Sequence, residues 1–337
     1  MQKDEIIIRN AIVHILETSV GMPVLSEYLL ERNEEINDLI RGHIYKIASG
    51  DDLKSCIFAE EGSEMLQLVR QFTEETLVAA SCEFANRLYG IMRQNPDIPS
   101  ADLIVATYQY EGRIFLALLK LNYKTSFIHM TANAENGSNY NDIIRQCATL
   151  PQASSRLSEA VLIDLEDYSI QIVEKKYEVN GEKVNYLSEL YLNCHARMSQ
   201  KTKIGIVTRA VEQINKKYFD EEIEMQMKAK SVIQNEIAEQ GVLNPVLISE
   251  KIYEEYPTIK EEFEEKLEKY NLAKEEVRPQ NEATVKKFQT QFLKTDTGIE
   301  INIPMDQYNH NENVEFLTNP DGTISIMIKN INRIISK

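Results

Sequence analysis

Residues 99–129 read PSADLIVATYQYEGRIFLALLKLNYKTSFIH. Within them, residues 103–110 and 114–121 are two nearly unbroken apolar runs, joined through Glu111-Gly112 between Tyr110 and Arg113. A two-residue connection forces an antiparallel hairpin, and Gly112 supplies the positive φ that such turns demand. Apolar residues occupy both alternating faces, with Leu103, Val105 and Thr107 on one and Ile104, Ala106 and Tyr108 on the other. Strands of that kind are covered on both sides, so the hairpin is expected to be central and not an edge.

Around it, the 337 residues exceed what one core usually supports, and two domains are expected: an N-terminal α+β domain over residues 1–200, and over residues 201–337 a domain of helices followed by antiparallel strands. With 43% apolar and 27% charged residues the composition is that of a folded globular chain. The formal charge of −16 is shared evenly, residues 1–205 carrying −9 and residues 206–337 carrying −7. No half is a basic tail, so any contact with a polyanion has to be local and salt-sensitive. Cys56, Cys82, Cys147 and Cys194 form no C-x-x-C pair and read as core thiols in a reduced cytoplasmic setting, with no signal-peptide pattern and no apolar run near the ~20 residues of a membrane span.

Taken in order, residues 5–16 read as a strand whose face shifts near Asn10, and residues 24–30 as a short strand pairing with it. Asn33 caps an amphipathic helix ending near Gly50, and residues 63–72 and 74–92 make two more. Residues 141–148 are a short helical candidate in an Asn- and Ser-rich region, residues 160–173 give two strands about Asp167, and Asn180-Gly181 is a tight turn. Helices follow over 187–198, 202–219, 221–240, 245–256 and 259–271, then strands over 285–293, 298–303, 314–317 and 324–328, the last two joined by Asn319-Pro320-Asp321-Gly322.

The blocks NAIVHIL, GMPVLSEYLLE, NPDIPSADLIVATYQYEGRIFLALLKLNY, VLIDLEDY and YLSELYLNCHARMSQKTKIGIVTRAVEQI, in that order and spacing, resemble the bacterial nucleoid-associated protein family of the YejK/NdpA type. The resemblance spans nearly the whole chain. It implies a cytoplasmic, nucleoid-located protein that binds nucleic acid; it does not imply an enzymatic activity, and it offers no catalytic motif to carry over.

The best local candidate for nucleic-acid contact is the stretch 197–217, where Arg197, Lys201, Lys203, Arg209, Lys216 and Lys217 stand against the single acid Glu212. Six cations there could form a stripe along one helix, with backbone amides near Thr202 adding anion affinity. The competing expectation is a solvated face balanced by the acidic segments 221–224 and 261–268. The break at residues 241–244 invites a helix-turn-helix, but Glu250, Glu254 and Glu255 would face the groove, and packing of Val246, Ile248, Ile252 and Tyr256 is the plainer account. Asp164 with Glu174-Lys175-Lys176 is the one nuclease-like pattern. The histidines at 14, 43, 129, 195 and 310 have no ligand spacing, so neither metal nor cofactor is expected.

The expected function is non-catalytic, largely sequence-independent binding of double-stranded DNA, with single-stranded DNA or RNA as further ligands, by a homodimer in which two weak patches act together. Other nucleoid proteins are expected partners and a membrane is not. The alternatives are an acidic interaction module recruited to the nucleoid by a partner, and a Mg²⁺-dependent nuclease.

Overall fold

The computed structural model describes residues 1–31, 33–59, 62–133, 137–219, 222–309 and 313–335. The fold is mixed α+β, and the chain divides into two compact units, Met1–Met198 and Ser199–Lys337.

The first unit runs β1 (Ile7–Leu16), α1 (Glu34–Ala48), β2 (Lys54–Phe58), α2 (Glu64–Arg70), α3 (Leu77–Gln94), β3 (Ala101–Tyr110), β4 (Arg113–Asn122), β5 (Lys124–Asn133), β6 (Asn139–Thr149), β7 (Ala160–Asp164), β8 (Ile170–Val173), β9 (Tyr177–Val179), β10 (Glu182–Val184) and β11 (Cys194–Ala196). Seven strands form one antiparallel sheet in the order β1-β3-β4-β7-β8-β2-β11. The β3–β4 hairpin is interior to it, as its doubly apolar runs require. Glu111 and Gly112 both take positive φ, 51° and 83°, the signature of a type I′ turn. On one face Leu103, Val105, Leu116 and Leu118 pack against Phe84, Leu88 and Met92 of α3 and Leu66 and Val69 of α2. On the other, Ile104, Ala106, Ala117 and Leu119 pack against Ile40, Ile44 and Ile47 of α1.

Local chemistry sets the helix starts. Asn33 Oδ1 accepts from the Ile36 amide at 2.8 Å and Ser63 Oγ from the Leu66 amide at 3.1 Å, each satisfying a donor that the first turn leaves open. Gly42 lets α1 approach the 151–157 segment closely, because a Cβ there would stand 3.0 Å from the Ala153 Cβ. The expected change of face in the first strand is a register shift between Ile8 and Asn10.

Several expectations are overturned. Residues 24–30 make a single bridge, Ile15 to Val24, and no strand, because the Ser26 amide donates to His14 Nδ1 (3.1 Å) instead of to a ladder carbonyl. The 141–148 helix is strand β6, which pairs with β5 from Lys124–Thr149 to Asn133–Asn139; cross-strand hydrogen bonding wins over the weak helix preference of an Asn-rich segment. The 187–198 helix stops after one π-helical turn, Leu187–Leu192, where Asn193 turns left-handed (φ 49°) and Cys194–Ala196 joins the sheet beside β2 as a strand that its own sequence does not announce. Of the cysteines, Cys56 and Cys194 are buried, Cys82 half-buried and Cys147 exposed on the β5–β6 ribbon, so not all are core thiols.

The second unit contains α4 (Gln200–Tyr218), α5 (Ile223–Gln240), α6 (Pro245–Tyr253), α7 (Pro257–Glu268), α8 (Glu282–Phe288), β12 (Thr290–Lys294), β13 (Glu300–Pro304), α9 (Met305–Asn309), β14 (Val314–Thr318) and β15 (Ile324–Ile328). Ile204, Val207, Val211 and Ile214 form the buried stripe of α4, and the Tyr253 hydroxyl donates to the buried Asn215 amide oxygen at 2.9 Å. Gly241, with φ 67°, ends α5. Met227 of α5 joins Ile303, Met305, Val314 and Phe316 in the cluster that seats the terminal strands. The strand expected over 285–293 is helical as far as Phe288, since Asn281 Oδ1 caps α8 through the Ala283 amide (2.8 Å). The expected start of α5 at Glu221, and His310, lie outside the described residues. Among those residues no helix is long and apolar enough to cross a membrane.

Candidate nucleic-acid interface

Helix α4 carries five of the six cations singled out in the sequence. At 3.6 residues per turn, Lys201, Arg209 and Lys216 fall within about 80° of one another around it, whereas Lys203 and Lys217 project about 160–200° from Lys201. The structure therefore sorts them into two sets.

Lys203 and Lys217 are intramolecular partners. Lys203 pairs with Glu275. Lys217 Nζ lies 2.7 Å from Glu262 Oε2, which also accepts from the Tyr218 hydroxyl at 2.5 Å. The Lys217–Glu262 hydrogen bond raises the pKa of Lys217 and lowers that of Glu262. Lys201, Arg209 and Lys216 are exposed. Arg209 Nε donates to the Gly205 carbonyl at 3.0 Å, a bond along its own helix that directs the guanidinium without neutralising it. Arg197 belongs to the first unit, where its amide donates to the Ser55 carbonyl at 2.8 Å and its side chain is exposed. The amide expected to bind anions at Thr202 is occupied, for Ser199 Oγ caps it at 3.2 Å.

Two cations that sequence reasoning missed stand beside Arg209. Lys266 of α7 and Lys269 just beyond it share with Arg209 a shallow cleft of about 240 Å³, whose described lining contains no carboxylate. Lys266 Nζ donates to Gln213 Oε1 at 3.3 Å, which fixes it toward α4. Both were hidden in and beside the acidic run of residues 261–268; their i, i+3 spacing was the available signal. The outer positions Glu261, Glu265 and Glu268 of α7 are exposed.

The rival sites fare differently. Asp164 ends β7 and Glu174 follows β8, at opposite ends of that antiparallel pair, about five residues or ~16 Å apart at strand rise. Asp164 is held by Arg113 at 2.9 Å, and the buried Glu174 by Lys54 at 2.9 Å and by the amide and hydroxyl of Ser188 at 3.0 Å. The two carboxylates cannot share one metal ion, and among the described residues no group of three His, Cys, Asp or Glu is placed to hold one. Cys194 is buried and His195 exposed because neighbours on a strand, β11 here, face opposite sides. In α6 the buried side chains include Ile248, Ile252 and Tyr253; the tyrosine in the core is Tyr253, while Tyr256 is 38% exposed. Glu250 pairs with Lys260 at 3.5 Å on the outer face, where it would oppose a phosphate.

A comparison with curated proteins finds no match. The family model described as nucleoid-associated protein YejK matches residues 12–335, a span that begins within β1 and takes in every later strand and helix. By that match over nearly its whole length, the chain belongs to the nucleoid-associated protein YejK family.

Proposed function

We propose that this protein binds nucleic acid non-enzymatically in the bacterial nucleoid, through phosphate contacts that carry no base readout. Family membership supports nucleoid association, and the observation that carries the direct contact is the convergence of Arg209, Lys266 and Lys269 on a carboxylate-free cleft in a chain of net charge −16. Lys201 and Lys216 extend the same side of α4, and Arg197, in the preceding unit, is an exposed cation of its own. Lys203 and Lys217 act as internal struts. The units before and after residue 200 are separate domains in this reading, and the protein is a cytoplasmic homodimer, so that two weak patches gain by acting on one duplex.

A salt titration of binding to duplex DNA, single-stranded DNA and RNA, with Mg²⁺ present, tests it. Three phosphate contacts give log K against log salt a slope of about −2.7 on duplex. A flat salt dependence, or cleavage of the probe, overturns the reading; a constant monomer mass by light scattering across the binding range removes the dimer. The exposed carboxylates of α7 favour a second reading, attachment through a basic protein partner, in which the purified chain fails to shift DNA at low salt.

A further inference from the structure

A second cleft in the C-terminal unit has a different chemistry. It encloses about 530 Å³ between α4, α5 and the α8–β12 segment, within the roughly 300–1,000 Å³ typical of small-molecule sites. Its inner wall is apolar, formed by Val211, Ile233, Met305 and the half-buried ring of Phe288. Three lysines line it from three helices: Lys216 from α4, Lys230 from α5 and Lys287 from α8. Against them the described lining holds one carboxylate, Glu212.

Lys216 and Lys287 are exposed, whereas Lys230 is not placed as a solvated face would place it. Lys230 is half-buried, its ammonium donating to the Gln291 side-chain oxygen, and burial lowers its pKa while Glu212 opposes the shift. Among the described residues neither Lys216 nor Lys287 is in an ion pair, whereas adjacent Lys286 lies 3.9 Å from Glu282. Burial beside an apolar wall takes hydration from the Lys230 ammonium. An anion bearing a flat apolar group gives that ammonium a counter-charge and covers the wall.

We propose that this cleft binds a nucleotide, with its phosphate held by Lys216, Lys230 and Lys287 and its base against Phe288 and Met305. The ligand is either a free nucleotide or the terminal nucleotide of a strand, since both present the same groups. The site does not depend on duplex binding by the Arg209 surface, and the two have separate cationic side chains apart from Lys216.

Calorimetric titration of the full-length protein with AMP, ATP, adenosine and inorganic phosphate tests it. The expected result is saturable binding of AMP or ATP at one site per chain, with adenosine and phosphate each at least about tenfold weaker, because neither satisfies both walls. Lys230→Met with Lys287→Gln should weaken the nucleotide about 10- to 100-fold, the range for removing charge-assisted hydrogen bonds. Lys287→Gln alone, at an exposed position, should weaken it measurably without altering the fold. Lys201→Gln with Arg209→Gln should weaken duplex binding and keep the nucleotide, so failure of either site is read separately. Competition by a 5′-phosphorylated oligonucleotide identifies a strand end, and its absence a free nucleotide. No saturable AMP or ATP binding at millimolar ligand, equal binding of phosphate alone, or binding indifferent to both lysine variants would overturn the assignment.

Discussion

Lys120 and Glu159 form an ion pair of 3.1 Å from which water is almost wholly excluded, 2% of one side chain and 0% of the other being exposed. Lys120 lies on β4, and Glu159 immediately precedes β7, so the pair ties the central hairpin to its neighbour. Glu159 also accepts from Asn122 Nδ2 at 2.6 Å, from the Tyr177 hydroxyl at 3.0 Å and from the Tyr186 hydroxyl. Burial lowers the Lys120 pKa, and the Glu159 charge opposes it.

Removing one member of this pair strands the other charge in the core. Glu159→Gln or Lys120→Met should each destabilise the first unit by about 3–5 kcal/mol. The double variant should lose less than the sum, because the uncompensated charge is gone. Urea unfolding of the four proteins gives the cycle, and additive losses would show that the two groups are not coupled.

His14 is fully buried, its Nδ1 accepting from the Ser26 amide, and burial pulls its pKa from 6.5 to about 4. The unfolded chain therefore binds a proton between pH 6.5 and 4 that the folded chain refuses. Stability is full above the unfolded value and falls as pH drops through this window, by roughly 3 kcal/mol at about 1.4 kcal/mol per pKa unit. Buried His43 shifts in the same direction and adds to the slope. His14→Asn, which keeps an acceptor for Ser26, should flatten the melting temperature against pH over that range; an unchanged profile would exclude His14 as the source.

In the β3–β4 turn, Gly112 has φ 83° and open space where a Cβ would sit. Gly112→Ala should cost about 1–2 kcal/mol from backbone strain alone. Glu111→Asn should instead raise the melting temperature, since Asn tolerates the left-handed φ of 51° that Glu111 is forced to adopt. Thermal unfolding of the two variants checks both signs.

The two sets of cations on α4 are distinguished by charge removal. Lys201→Gln with Arg209→Gln should flatten the duplex salt slope by about 1.8, near 0.9 for each phosphate no longer neutralised. Lys203→Gln with Lys217→Gln should leave it unchanged, because Glu275 and Glu262 already neutralise those ammonium groups. Fluorescence anisotropy across a salt series reads both, and a slope change in the second pair would reverse the assignment.

Where the information is short-range, the chain states its structure openly. The Glu111-Gly112 turn, the Asn33 cap, the Gly241 stop and the alternation of residues 103–108 act within a few residues, and the hairpin, α1 and α5 follow from them. Where a hydrogen-bond partner is distant in sequence, local preference misleads. Residues 141–148 become a strand only because β5 stands beside them, and Cys194–Ala196 is claimed by β2 some 136 to 140 residues earlier in the chain.

The same division holds for the candidate interface. The sequence alone determined that residues 197–217 are locally basic in an acidic protein and that residues 202–219 are helical. Which cations remain available was decided by the tertiary structure. Packing α7 against α4 joins Glu262 to Lys217 and brings Lys266 and Lys269 to Arg209, and Glu275 reaches Lys203 from 72 residues away. Charge can be counted along a chain, but its neutralisation depends on distances of a few ångströms between side chains, and only folding sets those.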